Sequence, residues 1–246
     1  VRHKGFIPWD DDVDIQMPRP DYERFADIFN GRYQNSNIVA ILPSDSKAKH
    51  TFIKVCDMDT VKMENGVKYK RGEELGIDID VFPIDGLYED DKKYSDAYKA
   101  KQKLYHMYRI IEFSLYTGDL HFNLLGCLKL VKRVSTIFYG KIRRCLSKKW
   151  KKEWLLEQMH LKETEVDFET AKVVGSNCSK DDIFDDRYPK ECYASNVLVE
   201  FEGHLLSAPV GYDLILKKQY GDYMTPPPIE QQVTHHGNKV YAKIAS

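Results

Sequence analysis

The sequence predicts an α+β protein: a mixed β-sheet flanked by helices, with a helical, basic insertion in the middle of the chain. Three observations lead there. Asp12-Val13-Asp14-Ile15 and Ile77-Asp78-Ile79-Asp80-Val81 alternate carboxylates with β-branched residues, the period-two pattern of a strand with one wet and one packed face. Other short strand-like runs are separated by polar turns. Between them, residues 92–162 show helical spacing and a long run of positive charge. The expected organisation is therefore a core region over 1–91, a helical basic segment over 92–162, and a C-terminal region over 163–246 that completes the core.

In chain order, the first acidic strand ends at Met17-Pro18-Arg19-Pro20, where two prolines interrupt regular pairing. Tyr22, Phe25, Ala26 and Phe29 give the next segment one apolar helical stripe, with Asp21 placed to cap its start and Asn30-Gly31 to end it. Strands are expected over 38–42, 52–56 and 60–64; Lys54, on the second, can reach a phosphate or sit in solvent. After the second acidic strand, Asp85-Gly86-Leu87 reads as a turn.

A helix follows over 92–112, interrupted at Thr117-Gly118-Asp119. From Leu120 to Lys152 there is no acidic residue, while ten Lys and Arg side chains run through apolar positions such as Leu128, Val131, Phe138, Ile142, Leu146 and Trp150. Such a segment either covers the sheet with a solvated basic face or lies on an anionic membrane surface. The C-terminal third returns to strands at 173–174 and 196–201, a turn at Glu202-Gly203 leading to His204, and a helix over 212–220 with Leu214, Ile215 and Leu216 inward and Gly221 as its stop. Asp181-Asp182 and Asp185-Asp186 lack apolar alternation and read as a surface turn.

The acidic strands carry the chemistry. Residues two apart on a strand share a face, so Asp12 and Asp14 emerge side by side, as do Asp78 and Asp80. Two like charges about 4 Å apart repel by about 4 kcal/mol at an effective dielectric near 20, so the arrangement calls for a cation. A solvated acidic turn is the plain alternative for the first run alone; the second copy argues against it. A calcium loop fails on spacing, because counting from Asp10 puts Ile15 where the loop needs Gly and Asp21 where it needs Glu. Mg²⁺, which takes hard oxygen ligands and shares them with substrate phosphates, fits better.

Composition bounds the alternatives. With 246 residues, 42% hydrophobic, the chain can bury a sizeable core, and its formal net charge of -1 argues against a globally basic nucleic-acid binder. Five cysteines without a Cys-x-x-Cys pair suggest neither a disulfide framework nor a ribbon-type zinc site, and favour a reducing, cytoplasmic setting. No apolar run reaches the roughly 18–20 residues that span a bilayer, and no signal peptide is visible. Adjacent His235 and His236 face opposite ways in a strand and have no further ligand at zinc spacing, so one packs and the other contacts substrate or solvent.

The run Arg2-His3-Lys4-Gly5-Phe6-Ile7-Pro8-Trp9-Asp10-Asp11-Asp12-Val13-Asp14-Ile15, with Met17-Pro18-Arg19 after it, closely resembles the defining motif of the LicD family of phosphocholine transferases. That family also takes in fukutin and fukutin-related protein, and belongs to the polymerase-β-like nucleotidyltransferase superfamily. Ile79-Asp80-Val81-Phe82-Pro83-Ile84-Asp85-Gly86-Leu87 resembles its second motif, and Tyr220-Gly221-Asp222-Tyr223-Met224 with Pro226-Pro227-Pro228 and His235-His236 its third. The superfamily places a Gly-rich loop ahead of the segment matching Arg2-His3-Lys4; this sequence starts at Val1 without it, and Val1 is read as a truncated start.

The resemblance implies a nucleotidyltransferase-like fold and transfer of phosphocholine from CDP-choline to a hydroxyl of a lipid-linked cell-surface glycan precursor, of teichoic acid or lipopolysaccharide type. Relatives that move ribitol phosphate, and a non-catalytic nucleotide- or glycan-binding module, are the alternatives. Asp12, Asp14 and Asp80 are the expected catalytic carboxylates and ligands of Mg²⁺ or Mn²⁺, with Asp78 in reserve. Arg2, His3 and Lys4 are placed to meet diphosphate charge, Arg2 best suited to bidentate contact. Trp9, Tyr220 and Tyr223 offer aromatic faces for the quaternary ammonium, and His235 a further substrate contact. Peripheral membrane contact through 120–152, at the inner face, fits a membrane-linked acceptor; nucleic acid is not an expected partner.

Overall fold

The computed structural model describes residues 1–10, 12–63, 73–112, 124–176, 186–234 and 238–243. Its strands are β1 (Asp14–Pro18), β2 (Ile38–Ile41), β3 (Ile53–Asp57), β4 (Thr60–Met63), β5 (Ile77–Leu87), β6 (Val173–Gly175), β7 (Tyr188–Pro189), β8 (Asn196–Phe201), β9 (His204–Pro209) and β10 (Lys239–Ala242). Its α-helices are α1 (Arg19–Arg32), α2 (Asp91–Glu112), α3 (Leu124–Leu146), α4 (Lys152–Glu163) and α5 (Tyr212–Tyr220). The α+β class expected from the sequence is the one observed.

The architecture turns on β5, whose 11 residues reach three neighbours. Parallel β1 runs along one edge of it, antiparallel β3 lies along the other edge of its first half, and β6 pairs with its last three residues. With β2 on β3 and β7 on β6 this makes a six-stranded mixed sheet. The packed face is set by period two: Val81 of β5 and Ile53 of β3 are buried under Tyr22 and Ala26 of α1, along with Ala40 of β2. The Tyr22 hydroxyl accepts from the Ile53 N–H (2.9 Å), so the helix is tied to the sheet by a hydrogen bond as well as by apolar contact.

Several expectations change. β1 begins at Asp14, not Asp12: the Asp10 N–H closes a turn onto the Ile7 carbonyl, and the chain meets the sheet at Val13, whose carbonyl accepts from the Asp80 N–H (3.0 Å). Asp85-Gly86-Leu87 is strand, not turn, because β6 offers it an antiparallel partner. Gly86 is needed there for space, since a Cβ would lie 2.5 Å from the Val166 carbonyl oxygen. α1 starts at Arg19 with Pro18 at its cap position, and Asp21 bonds Arg24 instead of capping. Leu214 of α5 is exposed while Ile215 is buried.

The basic segment is not one helix. α3 ends at Leu146, Ser147 turns the chain into a short 3-10 helix at Lys148–Trp150, and α4 returns against α2. Tyr108 and Ile111 of α2 bury themselves with Trp150, Leu155 and Met159 to form a separate helical core. Lys152 belongs to no solvated face: its ammonium donates to the carbonyls of Asp45 and Ala48 (2.8 and 2.9 Å). Residues 64–72, 113–123 and 177–185, which include the expected interruption at Thr117-Gly118-Asp119 and three of the four aspartates of the acidic surface turn, lie outside the described residues.

Helices and sheet are joined by a buried ionic cluster. Arg19 makes a two-pronged contact with Asp85 (2.6 and 2.8 Å) and a third bond to Glu163 (3.1 Å). Lys101 of α2 is buried beside them. Burial pushes both carboxyls up, against the pull of Arg19 and Lys101. One cluster thus links the start of α1, the end of β5, α2 and the end of α4.

Candidate active site

The sheet's register builds the site. In β1, β5 and β3 the residues Asp14, Asp80 and Lys54 are direct Cα partners across adjacent strands, which lie about 4.8 Å apart. All three therefore point from one face, opposite to the apolar positions covered by α1. Asp78, two residues before Asp80, shares that face and is partnered in register by buried Cys56.

Lys54, left open between phosphate and solvent in the sequence, is a buried anchor at 7% exposure. Its ammonium bonds Asp78 (2.6 Å) and Asp80 (2.5 Å) and lies over the Phe52 ring (5.4 Å). Burial lowers its pKa, but Asp80 and Asp78 more than offset this and raise it above the ordinary lysine value. Asp78 also receives Lys62 from β4. Burial pushes the Asp78 carboxyl up, yet Lys54 and Lys62 together hold it below the usual range. A carboxylate so enclosed is an internal counter-ion, and the reserve role for Asp78 is given to structure instead.

Asp80 and Asp14 behave differently. Burial, opposed by Lys54, leaves the Asp80 carboxyl raised. Asp14 is raised to about 6, first by burial and then by the charges of Asp12, Asp80 and Asp10, with Lys54 pulling the other way. Its neighbours therefore act on Asp14 as an excess of negative charge. Among the described residues, however, no three His, Cys, Asp or Glu side chains, Asp12, Asp14 and Asp80 included, are gathered closely enough to hold a metal ion by themselves. The donor set consists of hard carboxylate oxygens in a region of surplus anion, the chemistry that suits a magnesium-like ion completed by substrate oxygens and water.

The N-terminal run is stitched to the C-terminal third. Arg2 donates to the carbonyls of Tyr223 (2.7 Å) and Thr225 (3.2 Å), and its Nε to His3 Nδ1 (3.2 Å). Lys4 pairs with Glu200 (2.9 Å), and its carbonyl accepts from the Glu202 N–H. Glu202 in turn accepts from the Phe6 N–H (3.0 Å), over a Gly5 whose Cβ would meet that same carboxylate at 2.2 Å. Arg2 and Lys4, expected at the diphosphate, thus engage the protein itself. Arg2→Met should leave the 222–226 backbone less protected, by about tenfold or more in amide hydrogen exchange given the ~1.5–3 kcal/mol typical of charged hydrogen bonds. Unchanged exchange would remove the clamp.

This clamp brings the third motif to the first. Tyr220, 70% exposed as a residue, has its phenol raised by partial desolvation and then by Asp10 and Asp14. Trp9 meets His3 edge to face (5.9 Å), and the Tyr223 hydroxyl donates to Asp213 (2.9 Å). Tyr220 thus shares the field of the aspartates. His235 and His236 lie outside the described residues.

Residues 1–115 match the family model described as LicD/FKTN/FKRP, nucleotidyltransferase domain. That stretch is similar to the nucleotidyltransferase domain of the LicD family. It is 28% identical to the lipopolysaccharide cholinephosphotransferase LicD of Haemophilus influenzae, over 98% of this chain and 84% of that protein. No solved structure matches it. Within this chain, the motif residues divide into two sets. Asp12, Asp14, Asp80 and Tyr220 face one another's charges, whereas Arg19, Asp85, Gly5 and Gly86 hold the backbone in place. The second set went unrecognised in the sequence, although a charged residue at each end of an apolar strand, Arg19 after β1 and Asp85 within β5, is the signal that a buried pair leaves.

Proposed function

We propose that this protein transfers phosphocholine from CDP-choline to a hydroxyl of a lipid-linked glycan precursor, of lipopolysaccharide or teichoic acid type, in a divalent-metal-dependent reaction. The observation that carries this reading is the register pair Asp14 and Asp80, two raised carboxyls on adjacent strands with Asp12 at their head and Tyr220 beside them. The match of residues 1–115 to the LicD/FKTN/FKRP domain and the name of the Haemophilus relative support the choice of transferred group.

Asp12, Asp14 and Asp80 are the residues that would hold the metal. When bound, a divalent ion neutralises diphosphate charge and makes the acceptor hydroxyl more acidic. The acceptor oxygen forms a bond to the choline-bearing phosphorus, the phosphoanhydride bond to CMP breaks, and the hydroxyl proton passes to a nearby carboxylate. Asp80, whose carboxyl burial also raises, is the residue assigned to receive it. Lys54 fixes Asp80 from the opposite side and acts as a positioning residue. The exposed Tyr220 ring offers a π-face to the trimethylammonium group, a contact of about 0.5–2 kcal/mol.

The test is CMP release from CDP-choline with Mg²⁺, with and without added glycan precursors of both types. Release that depends on glycan and is abolished by chelation is expected. Equal or faster release from CDP-ribitol would reassign the donor, and none from either donor would remove the transferase reading.

A further inference from the structure

α3 packs the wrong way round for a helix that ends at the protein surface. Its side against α2 is small or charged: Gly140 sits so close that a Cβ would meet the Ile110 carbonyl at 3.0 Å, and Arg144 donates to the Ile111 carbonyl (2.9 Å) and to Glu112 (3.2 Å). At 100° per residue, Leu128, Val131, Val134, Phe138, Ile142 and Leu146 fall together on the opposite side. Every one of these is exposed, Val131 and Phe138 to 65% and Leu146 to 75%. A 23-residue helix is about 34 Å long, so the stripe is far larger than the isolated apolar residues common on protein surfaces.

Charge identifies what covers it. Exposed Lys132 and Lys141 lie on the flanks of the stripe, Lys148 and Lys149 follow its end, and no Asp or Glu occurs between residues 120 and 152. A second copy docking stripe to stripe would set these cations against their own equivalents. A surface of fatty chains topped by anionic headgroups meets both requirements at once: the apolar side chains enter the acyl boundary and the lysines reach the phosphates. No helix among the described residues is long and apolar enough to cross a membrane, so the contact is one of lying on the surface.

We propose that α3 is an interfacial helix that seats the protein on anionic lipid bilayers through the Leu128–Leu146 apolar face and its flanking lysines. The contact is independent of the transferase reading, since it uses none of the residues assigned to the active site.

The experiment is co-sedimentation of the full chain with vesicles of phosphatidylcholine alone or containing about a third phosphatidylglycerol. Strong binding to the anionic vesicles, at least tenfold weaker binding to the neutral ones, and loss in about 1 M salt, where the Debye length shrinks to about 3 Å, are expected. Val131→Glu/Phe138→Glu should weaken binding at least tenfold. Lys132→Gln/Lys141→Gln should weaken it about twentyfold to thirtyfold, at roughly fivefold per cation. Circular dichroism and thermal melts show whether each variant keeps the fold, which exposed positions should allow. Failure of the folded wild type to sediment with anionic vesicles overturns the proposal, as does full binding by the folded Glu variant. A dimer in solution that the Glu variant converts to monomer would assign the stripe to a second copy instead, also overturning it.

Discussion

Asp14→Asn is expected to cut glycan-dependent CMP release by about 10²–10³-fold or more with the fold intact, a loss typical of removing one electrostatic group from a reacting centre. Asparagine keeps the shape of the side chain and removes the charge. That charge is held against burial, Asp12, Asp80 and Asp10, so neutralising it relieves repulsion and takes away no counter-ion's only partner. Melting temperature should therefore stay level or rise while turnover collapses. Lys54→Met behaves oppositely: it leaves Asp78 and Asp80 without their shared cation and should lose both stability and activity. Equal turnover in Asp14→Asn, measured as CMP release, would take Asp14 out of the chemistry.

The largest stability effect should come from Arg19→Met, at about 3–5 kcal/mol, the usual cost of removing one partner from a buried ion pair. The guanidinium serves two carboxylates that burial already pushes towards protonation, Asp85 and Glu163. Methionine fills much of the volume but leaves both anions without it. For a chain of this size such a loss lowers the melting temperature on the order of 10 °C. Because the cluster joins α1, β5, α2 and α4, a single cooperative urea transition should move to lower midpoint with unchanged slope. Replacing Arg19, Asp85 and Glu163 together by apolar residues should recover some of the loss, since removing a whole buried ionic group costs far less than orphaning half of it. A loss below about 1 kcal/mol for Arg19→Met would show the cluster to be well hydrated instead.

The sheet face and its carboxylates were legible because strand periodicity is local: Asp14, Asp78 and Asp80 announce their shared direction through the residues between them. The α1 stripe of Tyr22 and Ala26 and the turn at Glu202-Gly203 were legible for the same reason. What depends on a distant partner was not. Asp85-Gly86-Leu87 carries turn residues, but β6 and Val166 supply the neighbours that make it strand. β10 pairs with β4 from the far end of the chain, with no local mark on either. Lys54 read equally as a phosphate contact or a solvated lysine until the register set it beside two aspartates. The amphipathic character of α3 was plain, yet which side packs was decided by Gly140 and Arg144 against α2.

The central claim, that Asp12, Asp14 and Asp80 form a divalent-metal site for a nucleotide diphosphate, is tested most directly by titrating Mn²⁺ into the protein with CDP-choline at pH 7.5 and pH 5. Above pH 6 the Asp14 carboxyl is ionised and free to ligate; below it a proton competes, so metal binding weakens as pH falls. Saturable binding at pH 7.5, about tenfold weaker at pH 5 and lost at both in Asp14→Asn, is the predicted result. Wild-type affinity retained by Asp14→Asn, or no saturable binding by the wild type at pH 7.5, would contradict it.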